Sequence, residues 1–336
     1  MTLALAATGL TSGVGMRLAE VARERGLALA GLVRDLDRDD ARRLASLGVR
    51  LVQGDLGDRA ALGEVARGAG AFVHMAAHVG DWGPRAEFER VNVEGTRNAL
   101  EAAAAAGVRR FVHLSSTSVY GRPDRGRVTE AWPRERSGQA YDDTKTDAEV
   151  LAFERGHALG LEVAAIRPPI IYGPYDRNFM PRAVDTIARG RMLLIDGGRA
   201  PLNLVWADHV VDVLLLAAEA PAAAVAGEAF NVMDGVSETP ASVREVMETL
   251  ARAAGLPPPT RSVPYPIALG IGHALWNAFR LAGASKAPPV TPFVVKLMSR
   301  HVVYDAGKAA RVLGWKPRLG SLEGVARYAK AFRKVG

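Results

Sequence analysis

The first half of the chain alternates short, almost wholly apolar segments with helical stretches. The candidate strands are residues 3–8, 27–33, 49–53, 71–75, 110–115 and 161–166. Strands that are buried on both faces give continuous apolar runs, and repeated strand–helix–strand order favours a parallel sheet. The clearest helical stretch, 84–107, separates the fourth candidate from the fifth. The pattern therefore predicts an α/β fold, a doubly wound parallel sheet of the Rossmann type.

After residue 170 the pattern loosens. Helices are predicted around 178–189, 207–220, 241–254 and 305–313, with short strands and many prolines between them. We expect a dinucleotide-binding domain over 1–170, to which a segment at about 200–235 returns, and a smaller substrate-binding cap over most of 171–336. Because ligands of doubly wound sheets bind outside the carboxyl ends of the strands, a cap at that edge would select the substrate.

Composition excludes several kinds of site. The chain has no cysteine, so disulfides, thiolate metal sites and cysteine nucleophiles are ruled out. The seven histidines are scattered, and His74 ends a candidate strand four residues before His78, an arrangement that does not favour a metal pair. We predict no metal site.

Charge and hydropathy limit the partners. The formal net charge is +7, but the arginines are dispersed among acids, which argues against nucleic-acid binding. A phosphate-bearing small molecule is a sufficient partner for this excess. The N-terminal segment lacks the basic region and cleavage pattern of a signal peptide, and no apolar run approaches the ~20 residues that span a bilayer. We therefore expect a cytoplasmic protein without a transmembrane segment.

A glycine-rich turn directly follows the first candidate strand. It is "TGLTSGVG", residues 8–15, and it places Gly9, Gly13 and Gly15 between a strand and an amphipathic helix. Such a turn brings backbone N–H groups and a helix N-terminus toward a pyrophosphate. The alternative is an ordinary glycine-rich turn, but the position at the first strand–helix junction favours a dinucleotide site.

Residues at the ends of later strands extend this site. The second strand ends in "GLVRD", where Arg34 precedes Asp35. A guanidinium suits the 2′-phosphate of NADP, whereas an acid in this place would bind the ribose of NAD. We predict a preference for NADP(H), with NAD(H) as the second option. Asp55, in "GDL", would lie beside the adenine, and the small side chains of "HMAA", 74–77, would let a cofactor approach the backbone.

A serine-rich strand end and a tyrosine–lysine pair carry the candidate chemistry. The segment "LSSTSVYG", 114–121, ends the fifth strand at the edge where the ligand crevice is expected. Tyr141 and Lys145, in "YDDTK", lie one helical turn apart on one face of a helix. This spacing alone is weak evidence, because the chain contains it twice.

The second pair, Tyr304 and Lys308, has a different context. Tyr304 follows an apolar, strand-like run, and Asp305 is placed as the N-cap of the helix that carries Lys308. The two side chains would then straddle a strand–helix junction. We interpret this pair as structural.

Together these motifs resemble the extended short-chain dehydrogenase/reductase superfamily, also called the NAD-dependent epimerase/dehydratase superfamily. The matching pieces occur in the family's order over essentially the whole chain, and they are "TGLTSGVG", "GDL", "HMAA", "VNVEGTRNAL", "SSTSVYG", "YDDTK" and "IRPPIIYGP". One position departs from the pattern. Extended members usually carry glycine where Ser12 stands, whereas this chain has its glycine at Gly13.

The resemblance implies a role for each catalytic candidate. Tyr141 would be the general acid in ketone reduction and the base in alcohol oxidation. Lys145 would bind the nicotinamide ribose and, with the oxidised nicotinamide, lower the pKa of Tyr141 from ~10 to ~7, which needs about 4 kcal/mol. Ser116 would hold the carbonyl oxygen, and Asn92 would help to order the site.

The implied binding residues form two groups. The cofactor-binding residues would be Gly9, Thr11, Ser12, Gly13, Val14, Arg34, Asp55, Leu56, Ala76, Ala77, Tyr141, Lys145, Pro168 and Ile170. The substrate contacts would be His78, Trp82, Thr117, Ser118 and Tyr172.

Three further features resemble the branch of 3β-hydroxysteroid dehydrogenases, 2-alkyl-3-oxoalkanoate reductases and dihydroflavonol reductase-like enzymes. They are "AAHVGDWGP" at 76–84, Pro169 where sugar epimerases often have asparagine, and an apolar segment at 263–298. That segment suits a lid over a lipophilic substrate or peripheral contact with a membrane. It could equally be the core of the cap.

We therefore expect an NAD(P)-dependent oxidoreductase that interconverts a ketone and a secondary alcohol on a hydrophobic, steroid-like or long-chain 3-oxo substrate. The alternatives are a nucleotide-sugar epimerase or dehydratase and a dinucleotide sensor without catalysis. The set of Ser116, Tyr141 and Lys145 argues against a sensor, which needs no proton donor. Relatives commonly form a homodimer through the helix around 86–106 and the helix that carries Tyr141.

Overall fold

The structure, a computed structural model, describes residues 3–284 and 286–335 of the 336-residue chain. Its strands are β1 Ala4–Thr8, β2 Ala28–Val33, β3 Arg50–Gln53, β4 Ala71–His74, β5 Arg110–Leu114, β6 Arg125–Val128, β7 Glu162–Arg167, β8 Ile170–Tyr172, β9 Leu194–Ile195, β10 Leu204–Trp206, β11 Glu228–Asn231, β12 Ser262–Val263 and β13 His301–Tyr304. Its α-helices are α1 Gly13–Glu24, α2 Asp39–Ser46, α3 Arg59–Ala66, α4 Arg85–Phe88, α5 Gly95–Ala105, α6 Ala140–Ala158, α7 Phe179–Ala188, α8 Ala207–Glu219, α9 Ala222–Val225, α10 Val243–Ala254, α11 Tyr265–Leu281, α12 Pro292–Leu297, α13 Gly307–Leu313 and α14 Ser321–Val335.

A seven-stranded parallel sheet has the order β11–β7–β5–β4–β1–β2–β3. The order reverses between β1 and β4, which is where a doubly wound sheet forms its ligand crevice. The six strands that the apolar runs predict are all present, each within a residue or so of its expected bounds. The predicted Rossmann-type fold is therefore confirmed.

Two apolar layers cover the sheet because each strand sends alternate side chains to opposite faces. Leu5 and Ala7 of β1 lie in one core, with α1, α8 and α13, whereas Ala6 lies in the other, with α3, α5 and α6. Both faces of the central strands are thus buried. This burial is the physical reason for the continuous apolar runs in the sequence.

A smaller cap is built from α7, α10 and α14, which enclose their own apolar cluster. Short parallel strand pairs connect segments that are distant in sequence: β8 with β10, β9 with β12, and β6 with β13. The last pair brings 301–304 beside 125–128, and it therefore carries the C-terminal part of the chain back to the sheet.

A buried carboxylate joins the cap to the sheet. Asp234, just after β11, accepts hydrogen bonds from the Tyr172 hydroxyl (2.7 Å), the Trp206 N–H (2.6 Å) and His209 Nδ1 (2.9 Å). The side chains of Asp234 and His209 are at most 1% exposed. Loss of this acceptor would leave several buried donors without a partner.

We expect Asp234→Ala to lower the free energy of unfolding by about 3–5 kcal/mol, as for other broken buried charge networks. Chemical denaturation followed by circular dichroism measures the change. Asp185→Ala is the matched control, because that aspartate is 58% exposed and pairs with Arg189 one helical turn away; its cost should stay below about 1 kcal/mol. Equal effects of the two substitutions would contradict the prediction.

Candidate active site

A cavity of about 1230 Å³ runs from the glycine-rich turn to the cap across the carboxyl ends of the strands. It brings together most of the residues that the sequence singled out: Gly9, Thr11, Ser12, Gly13, Val14, Arg34, Asp55, Leu56, Ala76, Ala77, His78, Ser116, Thr117, Ser118, Tyr141, Ile170 and Tyr172. Four other candidates, Trp82, Asn92, Lys145 and Pro168, do not line it.

The glycine-rich turn has no room for side chains at two positions. Gly9 has a φ of 77°, and a Cβ there would lie 2.7 Å from the backbone N of Ala76. A Cβ on Gly15 would lie 2.4 Å from the carbonyl oxygen of Gly9. The backbone therefore packs tightly beneath the N-terminus of α1, and this N-terminus borders the cavity. The cradle fits the pyrophosphate of a dinucleotide.

The backbone conformation explains why a serine can stand at position 12, where related sequences usually have glycine. The φ of Ser12, −78°, is accessible to any residue, so no glycine is required there. Its hydroxyl accepts a hydrogen bond from the N–H of Gly15 (3.1 Å) and so caps α1. The serine thus stabilises the helix end that would face the phosphates.

An exposed cation borders the cavity where β2 ends. Arg34 is exposed and lines the cavity, whereas Asp35 accepts a hydrogen bond from the N–H of Asp37 (2.9 Å) in a local turn. Asp55 also lines the cavity, and its carboxylate accepts a hydrogen bond from the N–H of Gly57 (2.7 Å). The Arg34 guanidinium therefore borders the space where an adenosine ribose would lie. The Asp35 carboxylate is instead bonded within its local turn.

Two hydroxyl-bearing side chains lie near each other in the cavity wall. Ser116 follows β5 and Tyr141 lies in the first turn of α6, and both residues line the cavity, close enough for Ser116 to affect the pKa of the Tyr141 phenol. The Ser116 hydroxyl also accepts a hydrogen bond from the N–H of Ser118 (3.1 Å). Ser118 Oγ is buried and has no hydrogen-bond partner among residues 3–284 and 286–335. The arrangement can present several hydroxyls to one ligand oxygen.

Burial raises the pKa of the Tyr141 phenol to about 12, and the neighbouring Ser116 offsets part of this rise. Removal from water disfavours the phenolate more than the neighbouring protein groups stabilise it. Tyr141 is therefore protonated at neutral pH, which is the form that can donate a proton. The lowered pKa that the sequence led us to expect requires the oxidised nicotinamide beside Lys145, and it stays a prediction for the site with cofactor bound.

Lys145 lies behind the cavity wall. Its Nζ donates a hydrogen bond to the carbonyl oxygen of Leu114 (2.7 Å), and Leu114 itself lines the cavity. Burial lowers the pKa of Lys145 to about 8, although the charge of Glu149 acts in the opposite direction. The lysine thus holds the strand end that precedes Ser116.

Asn92 connects two walls of the site. It lies in a π-helical turn, Glu89–Glu94, that interrupts the helix between α4 and α5. Its side chain accepts a hydrogen bond from the N–H of His78 (2.7 Å) and donates to the carbonyl of His78 (3.1 Å) and to the Thr144 hydroxyl (3.0 Å). Asn92 therefore fixes the loop after β4 against α6, and π turns are frequent at functional sites.

Comparison with known proteins agrees with this geometry. The model of the "NAD dependent epimerase/dehydratase family" matches residues 6–232. The chain belongs to this family. A 2-alkyl-3-oxoalkanoate reductase of Stenotrophomonas maltophilia (strain K279a) is 32% identical to it over 90% of this chain and 93% of that protein.

Two further proteins are similar over almost their full length. A 4-hydroxy-2-methyl-3-oxo-4-farnesyl-3,4-dihydroquinoline-1-oxide ketoreductase of Stigmatella aurantiaca is 31% identical over 98% of this chain and 95% of that protein. The solved structure of MoeE5 in complex with UDP-glucuronic acid and NAD is 26% identical, covers 99% of this chain and 100% of that chain, and has a TM-score of 0.74. The resemblance to the extended short-chain dehydrogenase/reductases and their oxoalkanoate-reductase branch is confirmed, and the chain is an NAD(P)-dependent oxidoreductase.

In this family member an apolar lid closes the cap side of the cavity. Helices α11 and α12 contribute Ala268, Ile271, Phe293 and Val294 to the cavity wall. The apolar segment at 263–298 therefore covers the cavity. Within the described residues of that segment, buried positions are sparse, so it is not simply the core of the cap.

Trp82 anchors this lid. Its Nε1 donates a hydrogen bond to the carbonyl of Ala284 (3.2 Å), and its ring meets Trp276 edge to face, with 4.8 Å between the centroids. The neighbouring Asp81 accepts a hydrogen bond from the Thr291 hydroxyl (2.7 Å). Trp82 was predicted as a substrate contact. In the structure it belongs to the loop after β4 and packs that loop against the lid.

Two other predicted contacts have structural partners. The ring of Tyr172 borders the cavity, but the side chain is almost fully buried and its hydroxyl is bonded to Asp234 and to the carbonyl of Ser321. The carbonyl of Pro168 accepts a hydrogen bond from the N–H of Thr117 (3.0 Å). We therefore leave the Tyr172 hydroxyl and Pro168 out of the proposed ligand contacts.

Three residues that no sequence motif indicated also line the cavity: Arg122, Arg300 and Tyr304. Tyr304 and Lys308 do straddle a strand–helix junction, and Lys308 pairs with Glu228. Tyr304 nevertheless lines the cavity, as Thr117 does. No local pattern could reveal this, because the pairing of β13 with β6 brings 301–304 to the site.

Proposed function

We propose that this protein interconverts a ketone and a secondary alcohol on a hydrophobic substrate, with Tyr141 as the residue that transfers the proton. The observation that carries the proposal is that Ser116 and Tyr141 line the same cavity beneath an apolar lid. A tyrosine phenol is protonated at neutral pH, so Tyr141 can donate its proton to a ketone oxygen.

In the reduction, the carbonyl oxygen of the substrate would accept hydrogen bonds from Ser116 and Tyr141, and Tyr141 would give its proton to that oxygen. The nicotinamide cofactor supplies the hydride when it is bound. The turn at Gly9 and Gly13 would hold its pyrophosphate. Lys145 would act by holding the carbonyl of Leu114, and hence the strand end that carries Ser116, in place.

The substrate that fits best is a 3-oxo compound with a long or bulky hydrocarbon part. Ile271, Phe293 and Val294 give the lid an apolar inner wall, and apolar walls favour hydrocarbon over a hydrated sugar. The two named relatives act, by their names, on 3-oxo compounds with alkyl or farnesyl groups. Both lines of support concern the same end of the cavity.

The test is a panel of hydrophobic ketones assayed with NADPH and NADH through the absorbance of the reduced nicotinamide. The panel contains a ketosteroid, a 2-alkyl-3-oxo acid, its methyl ester and a dihydroflavonol. Oxidation of the cofactor with at least one ketone supports the proposal. No turnover of any of them, with cofactor binding intact, would overturn it.

We further propose that NADP(H) is preferred over NAD(H), because Arg34 borders the cavity and Asp35 is engaged in a turn. Arg34→Ala is expected to raise the KM for NADPH by about 10- to 100-fold, the range for loss of a charged hydrogen bond, and to leave the KM for NADH nearly unchanged. Initial rates measure both constants. Arg38→Ala, which removes an arginine that is 59% exposed and does not line the cavity, is the control. Equal changes for both cofactors would count against a 2′-phosphate contact.

A nucleotide-sugar epimerase or dehydratase is the second candidate. Arg182 and Arg191 are exposed on the cap side of the cavity and could contact a diphosphate, and MoeE5 is a structural relative solved with a UDP-sugar. In that case UDP-glucuronic acid should raise the midpoint of thermal unfolding and hydrophobic ketones should not. The opposite pattern supports the ketone reductase.

Two surfaces are proposed as contact sites. The outer face of the lid would contact a membrane, and helices α5 and α6 would contact a second copy of the chain. Of the helices that lie within the described part of the chain, none is long and apolar enough to cross a membrane. Ile267 and Leu281 of α11 are exposed and do not line the cavity, so peripheral membrane contact through this face stays a prediction. Homodimerisation through α5 and α6 also stays a prediction.

A further inference from the structure

Arg300 is a partly buried cation in the cavity wall whose Nε lacks a hydrogen-bond partner among the described residues. Its side chain is 17% exposed, and the Nε atom itself is buried. Its ion-pair partner is Asp124, with 3.7 Å between Nε and Oδ1, and that aspartate is 89% exposed. A guanidinium taken out of water without good hydrogen bonds is costly.

The neighbouring cation, Arg122, increases this imbalance. Arg122 pairs with the fully buried Asp142 and stacks on the ring of Phe293, 3.7 Å from its centroid. Asp142 therefore compensates Arg122. Burial and, second, the charge of Arg122 lower the pKa of Arg300. The uncompensated positive charge at this end of the cavity belongs to Arg300.

Arg300 lies at the same end of the cavity as the catalytic hydroxyls. Arg122 pairs with Asp142, the residue after Tyr141. Asp124, two residues after Arg122, pairs with Arg300. Thr117, the neighbour of Ser116, and Tyr304 line the same cavity as Arg300. The charge of Arg122 acts on the pKa values of both Tyr141 and Arg300. A ligand that reaches Ser116 and Tyr141 thus has Arg300 nearby.

We propose that Arg300 is the residue that binds the carboxylate of a 3-oxo or 3-hydroxy acid substrate. This inference rests on the proposed function. In such an acid the carboxylate carbon is two bonds from the reacting carbon, so the residue that binds the carboxylate must lie at the same end of the cavity as Ser116 and Tyr141. A planar guanidinium can bind both oxygens of a carboxylate. Phe293 and Val302 of the same wall would cover the hydrocarbon part.

A carboxylate fits this place better than a diphosphate does. One uncompensated arginine balances a single negative charge, whereas a diphosphate carries more. The exposed arginines that could serve a diphosphate, Arg182 and Arg191, belong to the region of α7 on the cap side. Arg300 instead follows α12 and precedes β13, the strand that ends at Tyr304.

The experiment compares a 2-alkyl-3-hydroxy acid with its methyl ester, each oxidised by the full-length protein with NADP⁺. The hydroxy compounds are used because a free 3-oxo acid loses carbon dioxide during an assay. Arg300→Met is expected to lower kcat/KM for the acid by about 30-fold, mainly through KM, since a charged hydrogen bond is lost. The ester lacks the charge and is expected to lose at most about 3-fold.

Two variants and one binding measurement keep the result interpretable. Arg300→Lys should recover part of the preference for the acid because it restores the charge. Lys296→Met, on α12 but outside the cavity wall, should leave both substrates unchanged. A non-reacting fatty acid should raise the midpoint of thermal unfolding of the unaltered protein and of Arg300→Lys, but not of Arg300→Met.

The outcomes separate the two proposals. If the unaltered protein oxidises the ester as well as the acid, or if Arg300→Met weakens both equally, the carboxylate role is wrong while the proposed function stands. If neither compound nor any ketone of the panel reacts, the proposed function itself fails. Loss of UDP binding in Arg300→Met, with no effect of the fatty acid, would assign Arg300 to a phosphate and overturn the carboxylate.

Discussion

Replacing Tyr141 with phenylalanine is expected to lower kcat for the ketone by about 10³-fold, within the range for loss of a general acid. The substitution removes one hydroxyl from a ring that stays in place. The Ser116 hydroxyl would still accept a hydrogen bond from the N–H of Ser118, so the backbone after β5 keeps its conformation. Steady-state kinetics with the ketone identified by the panel measures the loss.

The matched control is Tyr304→Phe, because Tyr304 is another tyrosine of the cavity wall. It should retain at least about a tenth of kcat, as expected for one lost neutral hydrogen bond. Affinity for NADPH, measured by quenching of protein fluorescence, should be nearly the same in both variants. Substantial turnover by Tyr141→Phe would remove Tyr141 from the mechanism.

The second large effect is a pH-dependent change in stability at Lys145. Its pKa is about 8 in the folded protein and about 10.5 as a free side chain. Between these values the unfolded chain binds more protons, so this group makes the free energy of unfolding of the unaltered protein rise with pH. Lys145→Met removes that contribution. The free energy of unfolding of the variant minus that of the unaltered protein should therefore fall by about 2–3 kcal/mol from pH 7 to 10.

Urea denaturation at a series of pH values tests this expectation. Taking the difference at each pH cancels the titration of other groups, including Tyr141, to a first approximation. Lys330→Met, which removes an exposed lysine of α14, shows the change produced by removing a solvated side chain. A difference for Lys145→Met that does not vary with pH would mean that the buried lysine carries no desolvation cost.

Local signals in the sequence were sufficient for six of the seven strands of the sheet and for several residues that line the cavity. The apolar runs identify the strands, since only strands buried on both faces need continuous apolar side chains. The turn around Gly9 and the spacing of Ser116 and Tyr141 are local patterns, and the structure brings these residues to one cavity. The strands β6 and β11 were not identified in advance, because each is short and gains its partner from a distant segment.

The amino-acid sequence by itself determined the parallel sheet, its phosphate turn and the residues that follow its strands. These features depend on residues that are close together along the chain. Tertiary structure alone decided the surroundings of each side chain. It turned the Tyr172 hydroxyl toward Asp234, brought Tyr304 and Arg300 into the cavity wall, and raised the pKa of Tyr141 by burial. Exposure and charge balance depend on residues that meet only after folding, so no local pattern contains them.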